Sequence, residues 1–279
     1  MTPPTLVFFR NDDVGALEPG LTELSGLFLE RGLKLTQAVV PVALTPQCAA
    51  WLGQTPPDLV EFIQHGYAHA WHGRGEFGGR RGLDEQAREI AAGRDILERA
   101  FGKRFFPAMA FPWHLYNRHS ITALTKLDFK VVSGIFDPTP ARRLFFGLGR
   151  VLRANLLLGR NVSHHERRRP GSGRGPGSGR GPGEGLLELS VSLDPVAAYR
   201  QPASDSPRKA LAELQAGFRW CRRRMAVVGV LLHHAVYSGE KAHLDTLAAF
   251  LDWLAGQEGV TVASLGEIHA RLTAGATQG

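Results

Sequence analysis

Short apolar runs alternate with longer amphipathic stretches from one end of this chain to the other, and that alternation narrows the fold more than any other feature. Residues 6–9, 35–42, 59–63, 105–111, 129–133, 186–193, 225–232 and 260–263 have the length and composition of strands. Between them, residues 21–33, 83–101, 120–127, 207–223 and 241–254 place apolar side chains at helical spacing. Thr45 followed by Pro46 marks the start of a further short helix, Ser206 is placed to cap the helix from 207, and a terminal helix opens near Leu265. Strand, helix and strand in strict alternation call for parallel pairing, because a crossover helix brings the chain back to start again in the same direction. The run 225–232 is apolar throughout, as a strand buried on both faces must be. Seven or eight such strands in 279 residues predict an α/β fold, a distorted (β/α) barrel forming a single domain over residues 1–279.

One stretch breaks the pattern. Residues 171–176 and 177–182 repeat Gly-Ser-Gly-Arg-Gly-Pro in tandem. Glycine, serine, proline and arginine cannot build a core, so about 160–185 is expected to be a disordered loop insertion. It holds six arginines and two glutamates, a large part of the net charge of +7. Its arginines have no aromatic residues between them, so the sequence makes no case for nucleic-acid binding. Cys48 and Cys221 have no spacing partners, which excludes a zinc knuckle or disulfide framework built on cysteine. No apolar run approaches membrane-spanning length, and residues 1–5 lack the basic region of a signal peptide, so the expectation is a cytoplasmic protein without a membrane span.

Three polar clusters follow apolar runs, where α/β proteins place their chemistry. They are Asn11-Asp12-Asp13 after 6–9, His65-Gly66-Tyr67-Ala68-His69 after 59–63, and His233-His234 after 225–232. His65 and His69 are four residues apart, and on a helical turn both would face one ion. Two imidazoles and a carboxylate suit Zn2+ and leave positions open for water, whose pKa the ion lowers toward about 7.

In order and spacing these clusters resemble the polysaccharide deacetylases, the carbohydrate esterases that share the NodB homology domain. The resemblance runs from Arg10 to His234. It implies that Asp12 is the catalytic base and that Asp13, His65 and His69 are the metal ligands. It implies that His233, in Leu231-Leu232-His233, is the catalytic acid, and that Pro112 and Trp113 of the third motif contact substrate. Gly66 stands where the family carries a hydroxyl residue. Ala110 stands where it carries the Arg that steadies the base, and no stretch matches its fourth motif, a Trp after two acids. The function implied is a metal-dependent hydrolase that removes an N-acetyl or O-acetyl group from a carbohydrate or related small amide by metal-activated water. The alternatives are a catalytically weakened carbohydrate-binding relative, or a hydrolase of another C–N amide bond. The implied partner is a small-molecule or oligosaccharide substrate. Nothing in the sequence fixes an oligomeric state.

Overall fold

The computed structural model describes residues 4–135, 186–195 and 207–274. Nine strands form one sheet in which every pair is parallel. They are β1 (Thr5–Val14), β2 (Leu35–Val39), β3 (Val60–His65), β4 (Phe105–Ala110), β5 (Val131–Val132), β6 (Leu187–Glu188), β7 (Val191–Leu193), β8 (Val227–His233) and β9 (Val260–Val262). The helices are α1 (Pro19–Leu29), α2 (Pro46–Gly53), α3 (Leu83–Phe101), α4 (Arg118–Lys126), α5 (Pro207–Arg222), α6 (Lys241–Ala255) and α7 (Leu265–Ala274).

The sheet runs β6-β5-β4-β3-β2-β1-β8-β7, so β6 and β7 are its two ends. They are also neighbours in sequence. β6 pairs with β5 and β7 with β8, so residues 187–193 bring the two ends of the sheet together. The closure is distorted at β1, whose residues 5–7 pair with β9 while its pairing with β2 begins at Arg10. This is the expected distorted barrel.

Side chains alternate along each strand between the barrel interior and the surrounding helices. On β1, Val7 and Phe9 join an outer core with Leu24 and Phe28 of α1, Phe218 of α5 and Phe250 of α6. Phe62 of β3 and Met109 of β4 join a second outer core with residues of α2, α3 and α4. The interior takes the alternate residues, Leu6 and Phe8 of β1, Ile63 of β3, Ala108 and Ala110 of β4, and Leu231 of β8. Small residues make the room that Phe8 fills. A Cβ on Gly229 would lie 2.3 Å from the Phe8 ring. The lower end is plugged by α7, whose Leu265 and Ile268 belong to the interior cluster.

Most helix expectations hold. α3 spans the predicted residues, and Thr45 caps α2 by accepting from the Cys48 N–H at 3.2 Å. Several strand ends differ. β1 runs to Val14, so Asn11, Asp12 and Asp13 lie within the strand and not after it. His65 and His233 are likewise the last residues of β3 and β8. Charge at these positions looks like a strand end in sequence, but the barrel interior accepts it because it is paired. The expected strand 186–193 is divided into β6 and β7. The insertion at 160–185 and the cap at Ser206 lie outside the described residues. Both cysteines are buried. Among the described residues no helix is long and apolar enough to cross a membrane.

Candidate active site

Residues two apart on a strand share a face, so Leu6, Phe8, Arg10 and Asp12 form a column up the inside of the barrel. Arg10 and Asp12 are both buried. The Arg10 guanidinium grips Asp12 with two bonds, Nε to Oδ1 at 2.7 Å and Nη2 to Oδ2 at 2.8 Å. Its Nη1 donates to the carbonyl and hydroxyl oxygens of Ser133 at 2.6 and 2.7 Å, and Ser133 Oγ donates to the Leu189 carbonyl. Burial raises the Asp12 pKa, but Arg10, His65 and His233 outweigh it and hold the carboxyl below its usual value.

Asp13 points elsewhere. Its φ of 64° is left-handed, which turns a half-exposed carboxylate out of the strand toward two imidazoles. Asp13 Oδ1 lies 3.1 Å from Nε2 of both His65 and His69. His233 Nε2 lies 3.8 Å from Asp13 Oδ2, and β1–β8 pairing sets His233 opposite Asp12. Among the described residues Asp13, His65 and His69 form the group whose donor atoms could share one ion, all within 4.8 Å of one another. Burial raises the Asp13 pKa, and the two imidazoles pull it far below the usual carboxylate range. The Asp13 bond in turn raises His69.

The expected helical turn between His65 and His69 is absent. Gly66 has φ 61° and His69 φ 54°, so a left-handed loop brings the rings to 5.3 Å between centroids. Gly66 is required there. A Cβ would sit 2.1 Å from Glu76 Oε2 and 2.6 Å from Pro112 Cγ, so the hydroxyl residue of the resemblance would not fit. Glu76 holds the loop by accepting from the N–H groups of Tyr67 and Ala68.

Pro112 is buried and adjoins Gly66. Trp113 is half-exposed and packs 4.3 Å from the His69 ring, with Trp71 edge-on to it at 5.1 Å. Trp113 and His114 both have positive φ, 54° and 57°. Two such residues in succession cost about 1–3 kcal/mol each, strain that tends to collect at functional sites.

Three residues escaped the sequence reading. Arg10 is the cation expected at position 110, supplied from β1, and two-residue spacing to Asp12 was the available signal. Ser133 anchors it. His114 has a largely buried ring. Its pKa is pushed down to about 4 by burial and by the charge of Arg10. Its Nδ1 has no hydrogen-bond partner. Only the fold reveals its place. His234 turns away from the triad. Its N–H donates to Asn11 Oδ1 at 2.9 Å and its Nδ1 lies 3.3 Å from Asn11 Nδ2.

No family model matches the sequence, and no curated protein matches it. Solved structures do. A structure from Mycobacterium smegmatis assigned to the polysaccharide deacetylases superposes with a TM-score of 0.68 at 19% identity, covering 99% of this chain and 93% of its own. The fold is that of the polysaccharide deacetylases. A family 4 acetyl xylan esterase from Clostridium thermocellum, solved with a cobalt ion, gives a TM-score of 0.56 at 14% identity over 95% of this chain and 90% of its own. A CE4 family pseudoenzyme from Bacillus anthracis gives 0.56 at 11% over 95% and 66%. The polysaccharide deacetylase fold thus carries both active and inactive sites, and the residues must decide between them.

Proposed function

We propose that the protein is a metal-dependent deacetylase, with Asp13, His65 and His69 holding a divalent ion, most simply Zn2+. One observation carries this reading. His65 Nδ1 lies 3.0 Å from the Ala110 carbonyl, which can only accept, so Nδ1 carries the proton. In the neutral ring Nε2 then presents a lone pair, and it faces the Asp13 carboxylate at 3.1 Å. Two acceptors at that distance need a cation between them, either a second proton or a metal. An imidazole fixed by a backbone carbonyl is also the usual arrangement behind a metal-ligating nitrogen.

An ion bound there would supply Lewis acidity to the acyl oxygen and acidify a water. The chain supplies the rest. Arg10 keeps Asp12 ionised and fixed in place, and each Asp12 oxygen retains a lone pair to take a proton from the attacking water. His233, opposite Asp12 across the β1–β8 pair, protonates the departing nitrogen, which an amide needs because an amine anion leaves poorly. Trp113, packed at a tilt beside His69, flanks the sugar ring or acyl group, and Pro112 sets the turn that carries it. The substrate is an N-acetylated or O-acetylated carbohydrate or a related small amide.

Ala110 and the pseudoenzyme of the same fold favour a second reading, a carbohydrate-binding relative without turnover. Arg10 argues against it by restoring the missing cation. Acetate release from N-acetylated oligosaccharides by zinc-loaded and chelator-treated protein separates them. The deacetylase reading expects release that zinc restores. Zinc binding at one equivalent with no release from any acetylated carbohydrate or chromogenic acetyl ester would favour the binding relative.

A further inference from the structure

Val7 and Phe9, on the outer face of β1, belong to the apolar core there, and Asn11, next on that face, is fully buried. Its amide makes three contacts. Oδ1 accepts from the His234 N–H at 2.9 Å, Nδ2 donates to Gln37 Oε1 of β2 at 2.8 Å, and Nδ2 lies 3.3 Å from His234 Nδ1. Gln37 Nε2 in turn donates to Ser25 Oγ of α1 at 3.0 Å. All four residues are buried. Polar groups in such a place cost free energy unless each is paired, and a fully paired network fixes one arrangement of the elements it joins. Here it joins β1, β2 and α1 to the turn that follows β8.

That turn starts one residue after His233. The β1–β8 register ends with Asp12 opposite His233, β8 stops there, and His234–Val236 form a short 3-10 helix. Asn11 reaches across from β1 and takes the first N–H beyond the strand. The start of α1 closes the turn from the other side. A Cβ on Gly20 would lie 2.4 Å from the His234 carbonyl oxygen, and Glu18 Oε2 lies 3.7 Å from His234 Nε2.

The ring of His233 has no such hold. Its side chain is 33% exposed, and Asp13 Oδ2, at 3.8 Å, is beyond hydrogen-bond distance. Among the described residues no hydrogen bond fixes that ring. Its place follows from the backbone that carries it, and Asn11 holds that backbone.

We propose that Asn11 is a positioning residue, setting through His234 the angle at which His233 faces Asp12 and Asp13. The consequence for turnover rests on the deacetylase reading, in which His233 protonates the departing nitrogen. The consequence for the ring does not.

Two measurements on the full chain test it. The first compares substrates. An amide nitrogen must be protonated to leave, whereas the nitrophenolate of nitrophenyl acetate leaves unaided. In zinc-loaded protein, Asn11→Ala should lower acetate release from tri-N-acetylchitotriose about 10–100-fold more than it lowers hydrolysis of the ester, the order of loss that follows a misplacement of about 1 Å. Zinc content should not change. The second is a nitrogen–proton NMR spectrum of the histidine rings in metal-free protein, with His233 identified by its loss in His233→Ala. In Asn11→Ala the His233 signals should move or divide. Asn11→Ser, too short to reach the His234 N–H, takes the place of Asn11→Ala if that variant does not fold. Equal losses on amide and ester overturn the proposal, because Asn11 would then support the barrel at large. Unmoved His233 signals overturn it whatever the protein does to acetylated substrates. If wild-type protein releases no acetate, the spectra decide: moved signals keep Asn11 in its role, and the deacetylase reading alone falls.

Discussion

One strand, β3, carries polar residues at both ends of the barrel interior, and the two ends solve the burial of charge differently. At the lower end the Glu61 carboxylate accepts from the main-chain N–H groups of Leu265 and Gly266 at 3.0 and 2.9 Å, at the start of α7. At the upper end, four residues on, His65 meets the Asp13 carboxylate. Backbone donors are permanent, so Glu61 is architecture: it fastens the plug to the barrel wall. A neutral imidazole has a single N–H, and His65 commits its own to the Ala110 carbonyl, so its Nε2 meets the Asp13 carboxylate only with a second proton or a metal ion between them. The Glu61 carboxylate, answered by main chain, closes the structure, whereas the Asp13 carboxylate and the two imidazoles that answer it could share an ion.

The largest expected effect breaks the upper end. His69→Ala and Asp13→Ala should each weaken zinc binding by more than about 100-fold, beyond the loss that follows removal of an outer hydrogen-bond partner. Elemental analysis after dialysis reads the result. His234→Ala should keep the metal, since that ring is committed to Asn11. Full occupancy in His69→Ala would remove the site as drawn.

The fold was readable where local chemistry and tertiary structure agree. α3 was delimited from its apolar spacing alone because its period persists for five turns. β1 was cut short at Phe9 because Arg10, Asn11, Asp12 and Asp13 look like a loop. They stay in the strand because Arg10 pairs with Asp12 inside the barrel and Asn11 with Gln37 outside it, partners that a single sequence does not display. The pair His65 and His69 was found for a reason that does not hold, since a helical turn was invoked and the chain uses left-handed residues. The roles of Asp12 and Asp13 could be separated only by the resemblance. The structure shows only that the two carboxylates point differently, because a φ of 64° turns Asp13 out of the strand while Asp12 stays in.

A smaller effect sharpens the contrast between the adjacent carboxylates. If Asp12 is a proton acceptor and Asp13 a ligand, Asp12→Asn should keep zinc and substrate affinity and lose about 10²–10⁴ in turnover, the range for a general base. Steady-state kinetics beside metal content reads this. Loss of zinc in Asp12→Asn with retention in Asp13→Asn would reverse the roles. Arg10→Met removes one member of a buried pair and leaves a naked carboxylate in the barrel, at about 3–5 kcal/mol of stability. Denaturant unfolding should show that loss in Arg10→Met and relieve much of it in the Arg10→Met, Asp12→Asn double variant. An additive double variant would mean that the two do not act as a pair.

The smallest effect belongs to the lower end and shows as pH dependence. Burial pushes the Glu61 carboxyl up from 4.5 to about 7, against the pull of hydrogen bonds from Gly266, Ser264, Leu265 and Thr36. The folded protein therefore keeps a proton there that the unfolded chain has already released, between pH 4.5 and about 7. In that window the unfolded state binds fewer protons, so stability falls as pH rises and levels off above about 7. At about 1.4 kcal/mol for each tenfold change in proton affinity, the whole displacement is worth about 3 kcal/mol. Glu61→Gln keeps an acceptor for the α7 N–H groups and has no proton to lose, so its stability should lack this slope. Urea unfolding of both proteins at pH 5 and pH 8 isolates the term, because every other titrating group is common to the two. An equal fall in both would mean that Glu61 is ionised throughout and that the α7 N-terminus fully offsets its burial, leaving the two ends of the barrel more alike than their partners suggest.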